Sequence, residues 1–136
     1  MHLSTDQIHV PIRSTSDILS ARQEGRAVAT RAGFSSSNIT IIATAISEVA
    51  RNIVEYAREG EVAITLIDHP DRRGVEIVVA DEGPGIADVA TVMRDGYSTG
   101  QRSGIGLPGA RRLMDEFEIE SVSGKGTTVR MKKWVA

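Results

Sequence analysis

Short runs in which apolar and polar residues alternate, arriving in pairs across tight turns, constrain this chain more than any other feature. Glu61 to Ile67 and Val75 to Asp81 alternate in this way and flank a turn rich in Asp, Pro and Gly. Phe117 to Ser123 and Thr127 to Lys133 repeat the pattern across Gly124-Lys125-Gly126. A period of two buries one face and solvates the other, and a short connection makes the neighbours antiparallel. Ile8, Val10 and Ile12, set among Gln7, His9 and Arg13, add a half-buried first strand. Ser14 and Asp17 form a capping-box-like start for a helix that carries Ile18, Leu19, Arg22, Val28 and Ala29 and ends at Gly33. A second helix is expected from Asn38 to about Arg58, and a third from Leu107 to Glu116. Strand pairs with helices clustered elsewhere predict an α/β (α+β) two-layer sandwich, a mixed and mostly antiparallel sheet with helices on one face.

The chain has 136 residues, enough for one domain over 1–136 and too few for two. It contains 0 cysteines, which excludes a disulfide framework and thiolate metal sites. No run approaches the roughly 20 apolar residues of a membrane span, and Met1 to Ile12 lacks the basic and apolar segments of a signal peptide. A cytoplasmic protein without membrane contact is the expectation. The formal net charge is -2, with basic and acidic residues interspersed, so no cationic stripe for nucleic acid is present. His2, His9 and His69 belong to no catalytic or metal-ligand pattern.

Four polar clusters stand out against this frame. Ile42, Ala45, Ile46, Val49, Ile53 and Ala57 define the apolar arc of the second helix, and Thr44, Ser47, Arg51, Glu55 and Arg58 its solvated side. Glu48 and Asn52 sit one turn apart on the shoulder between them. Such an oxygen-rich pair suits a hard cation such as Mg²⁺ bound partly through phosphates, or else it is an ordinary solvated pair. Asp81 continues the inward parity of Val75, Ile77 and Val79. A core-facing carboxylate needs donors, which an adenine amino group or the amides of the adjoining turn would supply. Gly83 and Gly85 allow backbone to approach a ligand.

Ser103-Gly104-Ile105-Gly106-Leu107-Pro108-Gly109 opens the third helix, where free amides and glycines make a phosphate site. Gly104, Gly106 and Gly109 also match a dinucleotide fingerprint, but loop-like residues 97–102 precede them where a strand is required. No Walker A sequence occurs. In Gly126-Thr127-Thr128, Thr127 shares the inward parity of Val129 and Met131. Its hydroxyl is available to an adenine edge or to Asp81, unless Thr127 is there simply as a strand-favouring residue.

Taken in order, Glu48-x-x-x-Asn52, Asp81-x-Gly83-x-Gly85, Gly104-x-Gly106 and Gly126-Thr127-Thr128 resemble the N, G1, G2 and G3 boxes of the GHKL ATPase and kinase superfamily. Within it the chain resembles the RsbT-type serine/threonine kinases, switch proteins of bacterial stress signalling. The likeness covers nearly the whole chain and includes Ala45 to Ile53, Gly96 to Thr99 and Gly106 to Gly109 with Arg112 to Phe117. It implies a Bergerat fold binding Mg-ATP. Asn52 would then hold Mg²⁺ and Asp81 the adenine amino group, with Gly83, Gly85, Ile86 and Thr127 around the base. Gly104, Ile105, Gly106 and Leu107 would lie toward the phosphates, and Glu48 would be the general base. The same resemblance implies STAS-domain substrates of a stressosome-like complex and a partner phosphatase activated once they are phosphorylated. An anti-sigma factor kinase that binds a sigma factor is the alternative with the same pocket, and a non-catalytic, nucleotide-gated module is a third. The segment from Asp88 to Ser103 reads as a lid that is short for the superfamily; its cations are Arg94 and Arg102, the latter read as solvated.

Overall fold

The alternating segments become five strands in one sheet. In this computed structural model, which describes residues 7–57, 59–83, 106–122 and 124–135, they are β1 (Gln7–Ile12), β2 (Gly60–Asp68), β3 (Arg73–Asp81), β4 (Glu116–Val122) and β5 (Gly126–Trp134). Gly85, Ile86, Gly104, Ile105 and the lid segment from Asp88 to Ser103, with Arg94 and Arg102, lie outside the described residues. The strand order is β1-β2-β3-β5-β4, and every ladder between described strands is antiparallel.

Period two sets which face is buried. Val10 and Ile12, Val62 and Ile64, Val75, Ile77 and Val79, and Val129 and Met131 all point into the core. The other face pairs opposite charges in register, Glu76 and Glu116 flanking Lys132, and Glu118 beside Arg130. Each fully buried Val or Ile contributes about 1.5–3 kcal/mol, so the inner face is what drives the sheet onto its helices.

Among the described residues, three helices cover that face. α1 (Thr15–Ala32) starts with a modified box: Asp17 Oδ2 accepts the Arg13 N–H at 2.8 Å, and the Ser14 hydroxyl caps no helix amide. It stops at Gly33, whose φ of 96° is a left-handed turn that few other residues tolerate. α2 (Ser36–Asn52) opens earlier than Asn38, because the Ser35 hydroxyl accepts the Asn38 N–H at 3.2 Å and is the true cap. Past Asn52 the chain widens into a π-helical turn, Ile53–Ala57. α3 (Gly106–Leu113) ends before the expected Glu116. The cause is capture by the sheet: Asp115 N–H bonds the Lys132 carbonyl at 3.0 Å, and Asp115 Oδ2 accepts the Trp134 N–H at 2.8 Å.

α2 is the central helix, packed against α1, α3 and the sheet. Its buried residues therefore exceed the expected apolar arc and include Ala43, Ala50 and Glu48. Gly25 of α1 makes the closest crossing. A Cβ there would stand 2.3 Å from Ile46 Cδ1, so the absent side chain sets how near the two helices lie.

Candidate functional site

At one end of the sheet the inner face turns from apolar to polar in a single row. Ile77, Met131 and Phe117 are in register across β3, β5 and β4, followed by Val79, Val129 and Ile119. The next inward row is Asp81, Thr127 and Ser121. Asp81 Oδ1 accepts two backbone N–H groups, from Gly83 at 2.9 Å and from Thr127 at 3.3 Å. Among the described residues nothing bonds to Oδ2. The turn-type bonding left open for Asp81 by its sequence is thus present at one oxygen, while the other stays available to accept a donor.

The Thr127 contact to Asp81 is made by its backbone, and the hydroxyl instead lies 2.9 Å from the Ser121 hydroxyl. Gly126 adopts φ 122°, and a Cβ on it would stand 2.1 Å from the Asp81 carbonyl oxygen. Only glycine fits between β3 and β5 at this point.

The second group of residues lies on α2. Glu48 is 7% exposed and is the one buried charged side chain among the described residues. Its Oε1 accepts the N–H of Gly106, the first residue of α3, at 3.0 Å. Its Oε2 lies 3.3 Å from Arg51 Nη1. α3 covers the flank that helical periodicity marks as a shoulder, so Glu48 is enclosed rather than at a solvated boundary. A buried carboxylate survives when it is hydrogen-bonded and charge-paired, and Glu48 has both. Asn52, one turn further, is half-buried, and its side-chain amide bonds to no described residue. An unengaged amide oxygen beside a carboxylate fits a hard divalent cation that keeps waters and phosphate oxygens as its remaining ligands.

The π-helical turn links the two groups. A Cβ on Gly60 would meet Ile53 Cδ1 at 3.0 Å and Asp81 Cβ at 3.0 Å, and one on Gly83 would meet Ala57 Cβ at 2.5 Å. The helix end that carries Asn52 is therefore seated against the strand end that carries Asp81. Glu48, Asn52, Asp81, Gly83, Gly106 and Thr127 come from α2, β3, α3 and β5 to one end of the molecule. Leu107 contributes its side chain to the core, at 5% exposure. Gly85, Ile86, Gly104 and Ile105 lie outside the described residues.

Two further residues belong to this region. Helical periodicity puts Arg51 on the solvated side of α2, yet its side chain is only 34% exposed and pairs with Glu48. Ser121 is not part of any of the four polar clusters, but it shares the inward parity of Phe117 and Ile119, and that parity is the signal that finds it.

Comparison with known proteins gives a consistent picture. Residues 13–133 match the family described as the histidine kinase-like ATPase domain. The serine/threonine-protein kinase RsbT of Bacillus subtilis (strain 168) is 47% identical over 130 residues, which span 96% of this chain and 98% of that protein. An anti-sigma F factor of Caldanaerobacter subterraneus subsp. tengcongensis is 39% identical over 102 residues, 71% of each chain. Among solved structures, the RsbU and RsbW domains of a Mycobacterium tuberculosis protein share the fold with a TM-score of 0.66 at 23% identity. That match covers 95% of this chain and 32% of the other.

Proposed function

The chain belongs to the histidine kinase-like ATPase family, and on that premise we propose that it is an RsbT-type serine/threonine protein kinase acting on STAS-domain proteins. The observation that carries the reading is the buried Glu48 carboxylate, held at the start of α3 one helical turn before the unengaged Asn52 amide. Asp81 Oδ2 would accept the adenine 6-amino hydrogen, with Gly83 and Thr127 beside it, and the resemblance assigns Gly85 and Ile86 to the base as well. Asn52 would hold Mg²⁺, which would offset phosphate charge when bound. The resemblance assigns Gly104, Ile105, Gly106 and Leu107 to the phosphates, where amides at the start of α3 would offset their charge.

In the transfer step the hydroxyl oxygen of the substrate serine or threonine bonds to the γ-phosphorus. The bond from that phosphorus to the β,γ-bridging oxygen breaks, and ADP leaves with the electron pair. Glu48 takes the hydroxyl proton. The chain's contribution is mainly position and preorganised charge, since phosphoryl transfer asks for little covalent chemistry from the protein. The Gly106 amide is engaged by Glu48, so it reaches a phosphate only after that bond is exchanged; the exchange also frees a Glu48 lone pair for the proton.

Phosphorylation of the STAS partner then releases the kinase to bind and activate a phosphatase. The similarity to anti-sigma F factors favours one alternative, a kinase that holds a sigma factor and phosphorylates an anti-anti-sigma partner. Pull-downs with phosphatase and sigma factor separate the two. Retention of Glu48 argues against an inert nucleotide-gated module.

The direct test incubates the purified chain with labelled Mg-ATP and STAS-domain proteins of the same genome. Phosphoserine or phosphothreonine on one of them is the expected product, and ATP binding without transfer to any of them would support the inert module instead. In the same assay Asn52→Ala should abolish the metal dependence of ATP affinity. Wild-type affinity that ignores Mg²⁺ would refute the role of Asn52.

A further inference from the structure

The polar row at the sheet end contains a hydroxyl that the box pattern does not use. Ser121 lies on β4, opposite Thr127 and one strand beyond Asp81. Its Oγ donates to the Gly126 carbonyl at 3.2 Å and lies 2.9 Å from Thr127 Oγ1. The carbonyl of Gly126 and the N–H of Thr127 belong to one peptide unit, and that N–H is the group that donates to Asp81 Oδ1 at 3.3 Å.

We propose that Ser121 is a positioning residue for base recognition, fixing the Gly126–Thr127 peptide and the Thr127 hydroxyl so that Asp81 presents its second oxygen to an adenine 6-amino group. The inference deepens the ATP reading given above and rests on it. A peptide unit is planar and trans, so its carbonyl and N–H point in opposite directions and anchoring one end orients the other. This unit needs an outside anchor. Gly126 supplies no side chain, its φ of 122° belongs to a region where glycine moves freely, and its Cβ position is blocked by the Asp81 carbonyl oxygen. No bulkier residue can stiffen the turn, so the stiffness comes from β4. The second Ser121 contact holds the hydroxyl of Thr127, which flanks the same edge of the pocket. Without the Ser121 oxygen, Asp81 keeps the Gly83 amide and loses a fixed Thr127 amide, so the carboxylate turns about its one remaining anchor.

The consequence is selective. Adenine offers an N–H donor at position 6, hypoxanthine a carbonyl acceptor, and a carboxylate oxygen accepts only from a donor. The ratio of ATP to ITP affinity therefore reports how well Asp81 is aimed, which a general loss of stability would not change. In calorimetric titrations of the full chain with Mg-ATP and Mg-ITP, Ser121→Ala should weaken ATP binding about three- to tenfold, the scale of one hydrogen bond. ITP affinity should change less than about twofold, on the same scale. Ser121→Thr, which keeps the hydroxyl, should restore the ratio. In an Asp81→Asn background Ser121→Ala should add no further loss. An unchanged ratio in Ser121→Ala, alongside a collapsed preference in Asp81→Asn, would overturn the proposal and leave the ATP site standing. A full ATP preference retained by Asp81→Asn would take base recognition away from Asp81, and this inference with it; no measurable binding of either nucleotide to the wild-type chain would instead remove the ATP reading. Should Ser121→Ala not fold, Ser121→Cys provides a weaker donor of similar volume, and an unaltered ratio there is equally fatal.

Discussion

Glu48 has one structural role and one proposed catalytic role, and mutation can separate them. Its Oε1 satisfies the amide that opens α3, and the reading advanced here also gives it the substrate proton. Removing the side chain leaves a half-buried N–H without its acceptor, a cost of about 1 kcal/mol, at the low end of the range for an unsatisfied donor. Glu48→Ala should therefore lower the thermal midpoint and cut phosphoryl transfer by about 10²–10⁴-fold, with ATP affinity largely kept. Glu48→Gln keeps an oxygen for Gly106 but cannot take a proton at neutral pH. It should melt close to wild type and transfer as poorly as the alanine variant. Thermal denaturation beside single-turnover transfer would check the pair, and near-normal transfer by Glu48→Gln would strip Glu48 of the base role. At this scale the sequence was readable where a residue type is odd for its position. Asp81 stood out because a carboxylate shared the parity of Val75, Ile77 and Val79. What could not be read were the partners. The bond from Gly106 to Glu48 joins segments brought together only by folding, the bond from Ser121 to Gly126 depends on the register of its hairpin, and helical periodicity alone puts Arg51 in solvent.

At the scale of elements, α2 is the member on which the site is mounted, and its place is set by the crossing with α1. Gly25 and Ile46 are in contact there because one has no side chain. Gly25→Ala would drive a Cβ into Ile46 Cδ1 and should destabilise the chain by about 1–3 kcal/mol, partly offset by the better helix propensity of alanine. Ile46→Val alone removes that methyl and should cost about 0.5–1.5 kcal/mol. The double variant should lose clearly less than the sum, because the valine makes room for the alanine. Urea unfolding of all four proteins measures the coupling, and strict additivity would mean the two helices do not press on each other here. The strands were legible from period two, since each had to bury one face. Helix ends were less so. Ser35 outcompeted Asn38 as a cap from just outside the expected helix, and α3 gave up its last turn because β5 offered Asp115 better bonds. The π-helical turn after Asn52 had no signature in the apolar pattern. It follows from tertiary fit, as Gly60 and Gly83 let that turn press against the end of β3.

Across the whole molecule, one sheet end gathers Asp81 and Thr127 from the hairpin strands, Asn52 and Glu48 from α2, and Gly106 from α3. Four segments far apart in sequence meet because the strand order places β3 beside β5, while α2 lies between α1, α3 and the sheet. The order of the boxes along the chain foretold the members of this group; the fold supplies their meeting. Among the described residues no helix is long and apolar enough to cross a membrane. The most direct test is a titration of the isotope-labelled chain with Mg-ATP, followed by amide chemical shifts. Gly83, Gly106, Thr127 and Asn52 should shift together along one saturation curve with a single Kd, while the charged outer face around Glu76 and Arg130 stays still. Shifts that divide between separate surfaces with different affinities, or that spare Asp81 and Asn52 altogether, would contradict the existence of one nucleotide pocket.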